Sequence, residues 1–322
     1  SKTERATSRN SLFRDILPAL ITGATAGRMK FKASFVFMIL WSFIVYYPMA
    51  HMVWGQGGLL GDGLLHSVDF AGGNVVHISS GISALVLCIA LGKRQGYESL
   101  SYRIHNIPMV ALGASILVFG WFGFNAGSAL SANGLAAHAF MTTATSCGAA
   151  MVSWMFIEVM QSGKPSLVGA ATGLVAGLVA ITPGAGFVPI WSAVIIGIIV
   201  SPICYFMIAV VKKKFGYDDA LDAFGCHGVG GMWGGIATGI FGLSSINDVA
   251  KWNGLCFGDT KLFVAQVISI VVTIVVAIVG TLICLYITKL ITPIRVSKKD
   301  ELIGLDKSEH SETAYPSFNG FD

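Results

Sequence analysis

Long apolar stretches with almost no charged residues are the feature that most limits how this chain can fold. Eight of them approach or exceed the roughly 20 residues that an α-helix needs to cross the hydrocarbon core of a bilayer. They occupy 33–53, 70–92, 107–129, 135–159, 166–183, 188–211, 226–244 and 262–290. Charged residues make up 12% of the sequence, whereas a soluble domain carries about 25%. The sequence therefore predicts an all-α polytopic membrane protein.

The two ends of the chain differ from this apolar body. Residues 1–15 are polar and basic, and the run 16–27 that follows is too short to span a bilayer and contains Pro18. We therefore predict a partial first helix there, in addition to eight full spans. Residues 293–322 are polar and charged, which places them outside the bilayer as a tail behind a transmembrane domain covering 1–292.

Lysine and arginine alternate between connections, and this pattern predicts the orientation. The connections without a basic residue are 53–69, 129–134 and 183–188, and those rich in basic residues are 27–33, 93–106, 212–214 and the start of the tail. The C-terminus is expected in the cytoplasm of a multi-pass cell-membrane protein. Lys251 and Lys261, after Ser244, are one exception. Residues 1–15 are another, because the alternation would place them outside.

Two histidine-bearing stretches stand out in the apolar body. The stretch 69–84 opens with Asp69 and two nearby glycines and contains His77, and 222–235 opens with Asp222 and contains His227. Ionisable residues within membrane spans are costly and usually face a pathway or a bundle interior. The similar openings favour an internal repeat, an arrangement that places a transport site near the bilayer midplane in many transporters. We therefore expect His77 and His227 to come within side-chain contact there.

Each of these residues also has a purely structural interpretation. Asp69 and Asp222 are placed to cap helices, and either histidine alone could be a buried side chain bonded to a carbonyl. Trp54 and the aromatic residues of 121–128 also fit the interfacial aromatic belt, the interpretation that composition favours for Trp121 and Phe122. Neutral imidazoles suit a small polar solute or a proton relay, and aromatic rings attract cations. The residues alone predict a conduit for a small cationic or weakly basic solute.

Other functional classes find little support in the composition. The net charge of +4 is small, so no nucleic-acid partner is expected. The six cysteines lie far apart without metal spacing, and we expect no metal or other cofactor. An intramembrane metalloenzyme using both histidines would be the enzymatic alternative, but no third clustered ligand accompanies them. We therefore expect a protein that is not an enzyme.

The order and spacing of several motifs resemble the ammonium transporter family, which includes methylammonium permeases and Rhesus glycoproteins. The motifs are PMAHMVWG (48–55), DFAGGNVVH (69–77), GWFGFNAGSA (120–129), DAFGCHGVGGMWG (222–234) and GLDKSEHSETAY (304–315). The resemblance implies an inverted-repeat helix bundle that assembles as a homotrimer, with one pathway for ammonium or ammonia in each subunit.

The resemblance also implies roles for individual residues. Trp54 and Ser128 match an outer vestibule that recruits ammonium, with Asp69 as the acidic residue nearby. Phe124 matches the inner phenylalanine of a gate, and the twin histidines His77 and His227 match the pore pair. In the implied mechanism, ammonium loses a proton below the vestibule and ammonia passes the histidines.

The tail is expected to be regulatory. Gly304, Leu305 and Asp306 match a cytoplasmic turn that couples subunits and meets nitrogen-regulatory signalling partners. From charge complementarity we expect this turn to dock on 212–219, where three lysines precede two aspartates.

Family members have about eleven helices, and by comparison this chain begins within the third. The first two helices, part of the third and the outer gate phenylalanine are expected to be absent, and Gly27 stands where the family usually has glutamate. We expect 1–322 not to conduct by itself. Besides a transporter, the alternatives are an ammonium sensor of the same fold and a non-conducting fragment.

Overall fold

The computed structural model describes residues 17–97 and 104–315, and these residues form helices and connections without a β-strand. The helices are α1 (Leu17–Thr25), α2 (Phe31–Trp41, continued through Ser42–Tyr46 into Tyr47–Trp54), α3 (Gly73–Leu91), α4 (Ile107–Gly127), α5 (Gly134–Ser162), α6 (Leu167–Ile181), α7 (Ile190–Phe215), α8 (Phe224–Val229 and Gly230–Phe241), α9 (Lys261–Ile291), α10 (Lys298–Ile303) and α11 (Leu305–His310). The predicted N-terminal segment 1–15 lies outside the described residues.

A helix occupies each of the eight stretches that the sequence predicted to be transmembrane. In the described parts of the chain, six helices are long and apolar enough to cross a membrane: α2, α3, α4, α5, α7 and α9. Helix α6 has 15 residues, and α8 is rich in glycine. Helix α1 has nine residues within the described range, and the partial first helix expected from the sequence remains a prediction. The number of complete crossings remains a prediction.

Local sequence explains where several of these helices begin. Asn106 and Asn133 precede α4 and α5, and each side-chain oxygen accepts a backbone N–H from the first turn at 3.0 Å. Ser166 does the same for α6 at 2.9 Å. Such caps provide hydrogen-bond acceptors for N–H groups that have no partner within the helix. Leaving these groups without a hydrogen bond is costly away from water.

Helices α3 and α8 cross in direct backbone contact near the centre of the bundle. A Cβ on Gly81 of α3 would collide with the backbone of Gly228 of α8, and one on Gly231 would lie 3.1 Å from Cβ of His77. Small residues permit such a close approach between helices. Arg94, just after α3, pairs with Asp218, just before α8. The C-terminal end of α3 therefore lies near the N-terminal end of α8. The two helices are therefore antiparallel.

A buried ionic cluster, the arginine junction, joins the connections at this end of α3. Its members are Arg28, Arg94 and Asp218. The Arg28 side chain is fully buried, donates to the backbone oxygen of Asp218 and places Nη1 3.8 Å from its carboxylate. Arg94 donates to both carboxylate oxygens, from Nη2 at 2.6 Å and from Nε at 2.8 Å. Burial opposes ionisation of Asp218, but the Arg94 hydrogen bonds and the Arg28 charge outweigh it and hold its pKa below the ordinary value.

The segment after α9 is fastened to the same end of the bundle. Arg295 donates to the backbone oxygens of Leu91 and Lys93, each at 2.7 Å, and pairs with Glu301 at 2.8 Å. Because the arginine junction, Lys212 and Arg295 lie together here, we call this the basic end. The opposite end, which holds Trp54 and Asp69, is called the vestibule end.

Candidate functional site

Both histidines lie in wide helical turns at the beginning of their helices. His77 belongs to Gly73–Ile78 at the start of α3, and His227 belongs to Phe224–Val229 at the start of α8. Each turn has π-helical hydrogen bonding, which is rare and occurs frequently at functional sites. The two turns thus present equivalent side chains from antiparallel helices, as expected for an inverted repeat.

The structure brings the two imidazoles into contact. The Nδ1 atoms of His77 and His227 are 3.3 Å apart, and the ring centroids are separated by 5.3 Å. Side-chain contact between them was predicted from the sequence. A contact of this length is a hydrogen bond when one Nδ1 carries the hydrogen and the other accepts it. Both residues are buried, and Nε2 of His77 has no hydrogen-bond partner among the described residues.

Two aromatic side chains of α4 form a wall against this pair. Trp121 stacks on His77 with centroids 5.3 Å apart, and Phe124 approaches the same ring at 6.1 Å. The indole N–H of Trp121 donates to the hydroxyl of Thr182 at 3.0 Å. Trp121 is therefore a buried residue of the histidine site, and its assignment to the interfacial belt was wrong. The spacing of three residues between Trp121 and Phe124, which puts both on one helical face, was the available signal.

Asp69 caps the turn that carries His77. Its two carboxylate oxygens accept the backbone N–H groups of Gly72, Gly73 and Asn74 at 2.7–2.8 Å and that of Val75 at 3.4 Å. Burial raises the pKa of Asp69, while these four hydrogen bonds act in the opposite direction. Because both oxygens serve only as acceptors, the geometry is that of an ionised carboxylate.

Trp54 lies beside Asp69 on the wall of an open cavity. Its indole N–H donates to the backbone oxygen of Asp69 at 2.8 Å. The cavity has a volume of about 400 Å³ and is called the vestibule cavity here. Buried Asp69 and Phe187 form its inner wall, and exposed Asp62 and Asp248 lie at its rim. Trp54 therefore belongs to a built cavity, a position that the interfacial-belt interpretation does not explain.

Ser128 takes a more internal position than Trp54. It is fully buried, and its hydroxyl donates to the backbone oxygen of Phe124 at 2.9 Å. Within the described chain it is not among the residues lining the vestibule cavity. Its expected partnership with Trp54 thus remains a prediction.

The capping role expected of Asp222 belongs instead to Asp219. The Asp219 carboxylate accepts the backbone N–H groups of Ala223 at 3.1 Å and of Phe224 at 2.7 Å. Asp222, by contrast, pairs with Lys212 at 2.6 Å and has a φ of 58°. The correct signal was the distance to the histidine: Asp219 precedes His227 by the same number of residues as Asp69 precedes His77.

The tail turn rests on the start of the described chain. Leu305 lines a cavity of about 320 Å³ with Leu221 and residues of 22–34, and Glu309 of the tail accepts the N–H of Phe31 at 3.1 Å. These contacts involve residues of 22–34 and Leu221, and the expected docking of the turn on 212–219 remains a prediction. Two charged residues of that stretch are engaged within the bundle: Lys212 pairs with Asp222, and Asp218 pairs with Arg94. Gly304 has a φ of 100°, which favours glycine. Asp306 is exposed.

Comparison with known proteins identifies the family of this chain. Residues 11–315 match the Ammonium Transporter Family. The chain is 47% identical to an ammonium transporter of Bacillus subtilis, with 94% of this chain and 74% of the relative covered, and 49% identical to one of Aquifex aeolicus, with 94% and 69% covered. The crystal structure of Saccharomyces cerevisiae Mep2 superposes with a TM-score of 0.82 at 36% identity, over 89% of this chain and 66% of that one. A structure described as a sensor Amt protein gives a TM-score of 0.82 at 29% identity, over 92% and 75%. This chain belongs to the ammonium transporter family.

Proposed function

We propose that this chain carries ammonium across a membrane through a passage lined by His77 and His227. The observation that carries the proposal is the contact between these buried imidazoles beside Trp121 and Phe124. The family's name and the named relatives support ammonium as the solute. An apolar, aromatic-walled site with two imidazoles suits a small solute that can exchange a proton.

The vestibule cavity is the proposed recruitment site. Ammonium is strongly hydrated, and removing it from water is costly unless other groups replace that hydration. Trp54 offers an aromatic face, and the carboxylate of Asp69 contributes negative potential from the inner wall. Ser128 is a further hydroxyl proposed to act along the path, below the opening.

Deprotonation follows as the solute moves from the cavity toward the histidines. A less polar environment favours the neutral form and lowers the pKa of the solute. Ammonia then passes Phe124 and the imidazoles, and the released proton is accepted by an imidazole nitrogen. Nε2 of His77 can make such contact because it has no partner within the described residues. Electroneutral flux and net transport with a relayed proton are both compatible with this scheme.

The proposal also covers the orientation of the chain in the membrane and its assembly into an oligomer. The arginine junction, Lys212 and Arg295 lie at one end of the bundle, so the positive-inside tendency places that end and the tail in the cytoplasm. Family resemblance supports a homotrimer with one pathway in each subunit. It also supports a nitrogen-regulatory partner that meets the tail near Gly304, Leu305 and Asp306.

Methylammonium flux tests the proposal directly. Transport through this passage requires proteoliposomes of the purified chain to take up labelled methylammonium, whereas the expectation from the sequence that 1–322 does not conduct by itself requires no uptake. Where uptake occurs, His77→Ala should change or abolish it, because the contact between the two imidazoles is lost. His105 is a matched control, since it stacks on Tyr315 of the tail, away from the site. Uptake that is the same in wild type, His77→Ala and His105→Ala would argue against the histidine passage.

A sensor is the second candidate function, favoured by similarity to the structure described as a sensor Amt protein. A sensor must bind ammonium in the same cavity but need not conduct it. Equilibrium binding of methylammonium to the purified chain without flux in proteoliposomes would favour sensing. Saturable flux would favour transport.

A further inference from the structure

The connection between α8 and α9 carries a lysine that departs from the charge pattern of the other connections at the vestibule end. Nζ of Lys251 lies 3.1 Å from Nε2 of His66 and 5.5 Å from the ring centroid of Trp252. The His66 and Trp252 rings meet edge to face at 5.5 Å. The amine of an exposed lysine is thus held by two rings.

One of those rings belongs to the vestibule cavity. His66 lines it together with Asp62, Asp69 and Asp248, three residues that can each carry a negative charge. The φ of His66 is 53°, in the left-handed region that a non-glycine residue seldom occupies. His66 thus lies on the cavity wall, and the ammonium of Lys251, which is not itself a lining residue, contacts its imidazole.

The chemistry of this cluster resembles that of cation recruitment. A primary ammonium resting near an aromatic ring and donating to an imidazole uses the same interactions that an ammonium ion could use. The group is tethered, however, so it cannot move down the passage. It adds a fixed positive charge where a cationic solute enters, and it opposes the attraction by the carboxylates.

We propose that Lys251, held by His66 and Trp252, is a charge filter that sets the apparent affinity of the vestibule cavity for ammonium. The proposal rests on the proposed transport function. A fixed charge at a partly solvated opening changes the local concentration of a cation, and its effect is screened by salt. The filter therefore acts on KM at low ionic strength and leaves the maximal rate to the residues deeper in the passage.

The experiment measures labelled methylammonium uptake by cells that lack their own ammonium uptake and express the full chain. Lys251→Gln should lower KM about two- to fourfold when the ionic strength is about 10 mM, with the maximal rate unchanged. At about 500 mM the difference from wild type should disappear, because the Debye length falls below about 5 Å. Lys251→Arg should behave as wild type, since it keeps the charge.

Lys261→Gln, at the start of α9, is the matched control: neither lysine is among the described residues that line the cavity, but Lys251 contacts His66, which does line it. It should leave KM unchanged. Saturable uptake with an unaltered KM in Lys251→Gln at low ionic strength would overturn the filter while leaving transport standing. A salt-independent change, or an equal change in Lys261→Gln, would also overturn it. Absence of uptake by the wild type in the membrane would count against the transport function, and the filter would fall with it.

Discussion

The Asp69–His77 and Asp219–His227 motifs share a spacing but sit in different surroundings. Asp69 accepts four backbone N–H groups and lines an open cavity, whereas Asp219 accepts two and lies beside the arginine junction and the Lys212–Asp222 pair. Both carboxylates begin a wide turn that presents a histidine. Capping is therefore common to both copies of the turn, while the proposed attraction of a cation involves only the copy that faces a cavity.

The largest effect is expected at the basic end, where Asp218→Asn would leave the buried Arg28 without its counter-charge. Removing one partner of a buried ion pair typically costs about 3–5 kcal/mol. Asp222→Asn is the control, because the Lys212–Asp222 pair is partly exposed and should contribute less than about 1 kcal/mol. Thermal unfolding in detergent measures both. Equal stability of the two variants would contradict a structural role for the junction.

The lowered pKa of Asp218 predicts that the stability of the folded chain depends on pH. Because the pKa of Asp218 is held below its ordinary value in the folded chain, its stabilising contribution is complete above the unfolded pKa of about 3.9 and is lost as the pH falls through the folded pKa. Wild type should therefore lose stability on acidification relative to Asp218→Asn. Parallel unfolding curves for the two chains in that range would refute this assignment.

The next effect separates the two caps. Asp69→Asn and Asp219→Asn each remove a charged acceptor from buried N–H groups, and we expect losses of about 2–4 and 1–3 kcal/mol respectively. Only Asp69→Asn should also raise the KM for methylammonium, because Asp219 does not line the vestibule cavity among the described residues. Uptake kinetics and unfolding measured on the same preparations test both parts. An equal rise in KM for both variants would remove the distinction between them.

A smaller effect concerns the aromatic wall of the vestibule cavity. Trp54→Leu loses the aromatic face and the hydrogen bond to Asp69, while Trp54→Phe loses only the hydrogen bond and part of the ring area. A desolvated cation–π contact contributes about 1–2 kcal/mol, so KM should rise about fivefold or more in Trp54→Leu and less in Trp54→Phe. Competition by potassium should also increase in Trp54→Leu. Unchanged ion selectivity would return Trp54 to an interfacial role.

The smallest effect is expected in the tail. Glu309→Gln weakens the exposed contact with the Phe31 N–H, and Glu312→Gln is a nearby control. Stability should change by less than about 0.5 kcal/mol in either variant. Limited proteolysis should cleave the tail faster in Glu309→Gln alone. Identical cleavage of both variants would show that this contact does not hold the tail.

Much of the architecture was predictable because the length of the apolar stretches and their lack of charge are local properties of the sequence. The contact between His77 and His227 also followed from the sequence, since a repeat places equivalent residues together. Asp219 was missed because the two stretches were matched by an aspartate followed by a glycine, which selects Asp222. The number of residues between the capping aspartate and the histidine is what the two stretches share. From the sequence, Lys251 was noted only as an exception to the charge pattern. Its contact with His66 and Trp252 could not be predicted, because tertiary structure brings these residues together.

The glycine contact between α3 and α8 makes the separation of the two imidazoles a property of the main chain. With Gly81 against the backbone of Gly228, no side chain at this crossing can be exchanged to lengthen or shorten the 3.3 Å between the Nδ1 atoms by small steps. The backbone contact between the two helices therefore sets this distance. Substitutions elsewhere in the protein can change the opening, the tail and the lipid-facing surface while the distance between the two Nδ1 atoms stays constant.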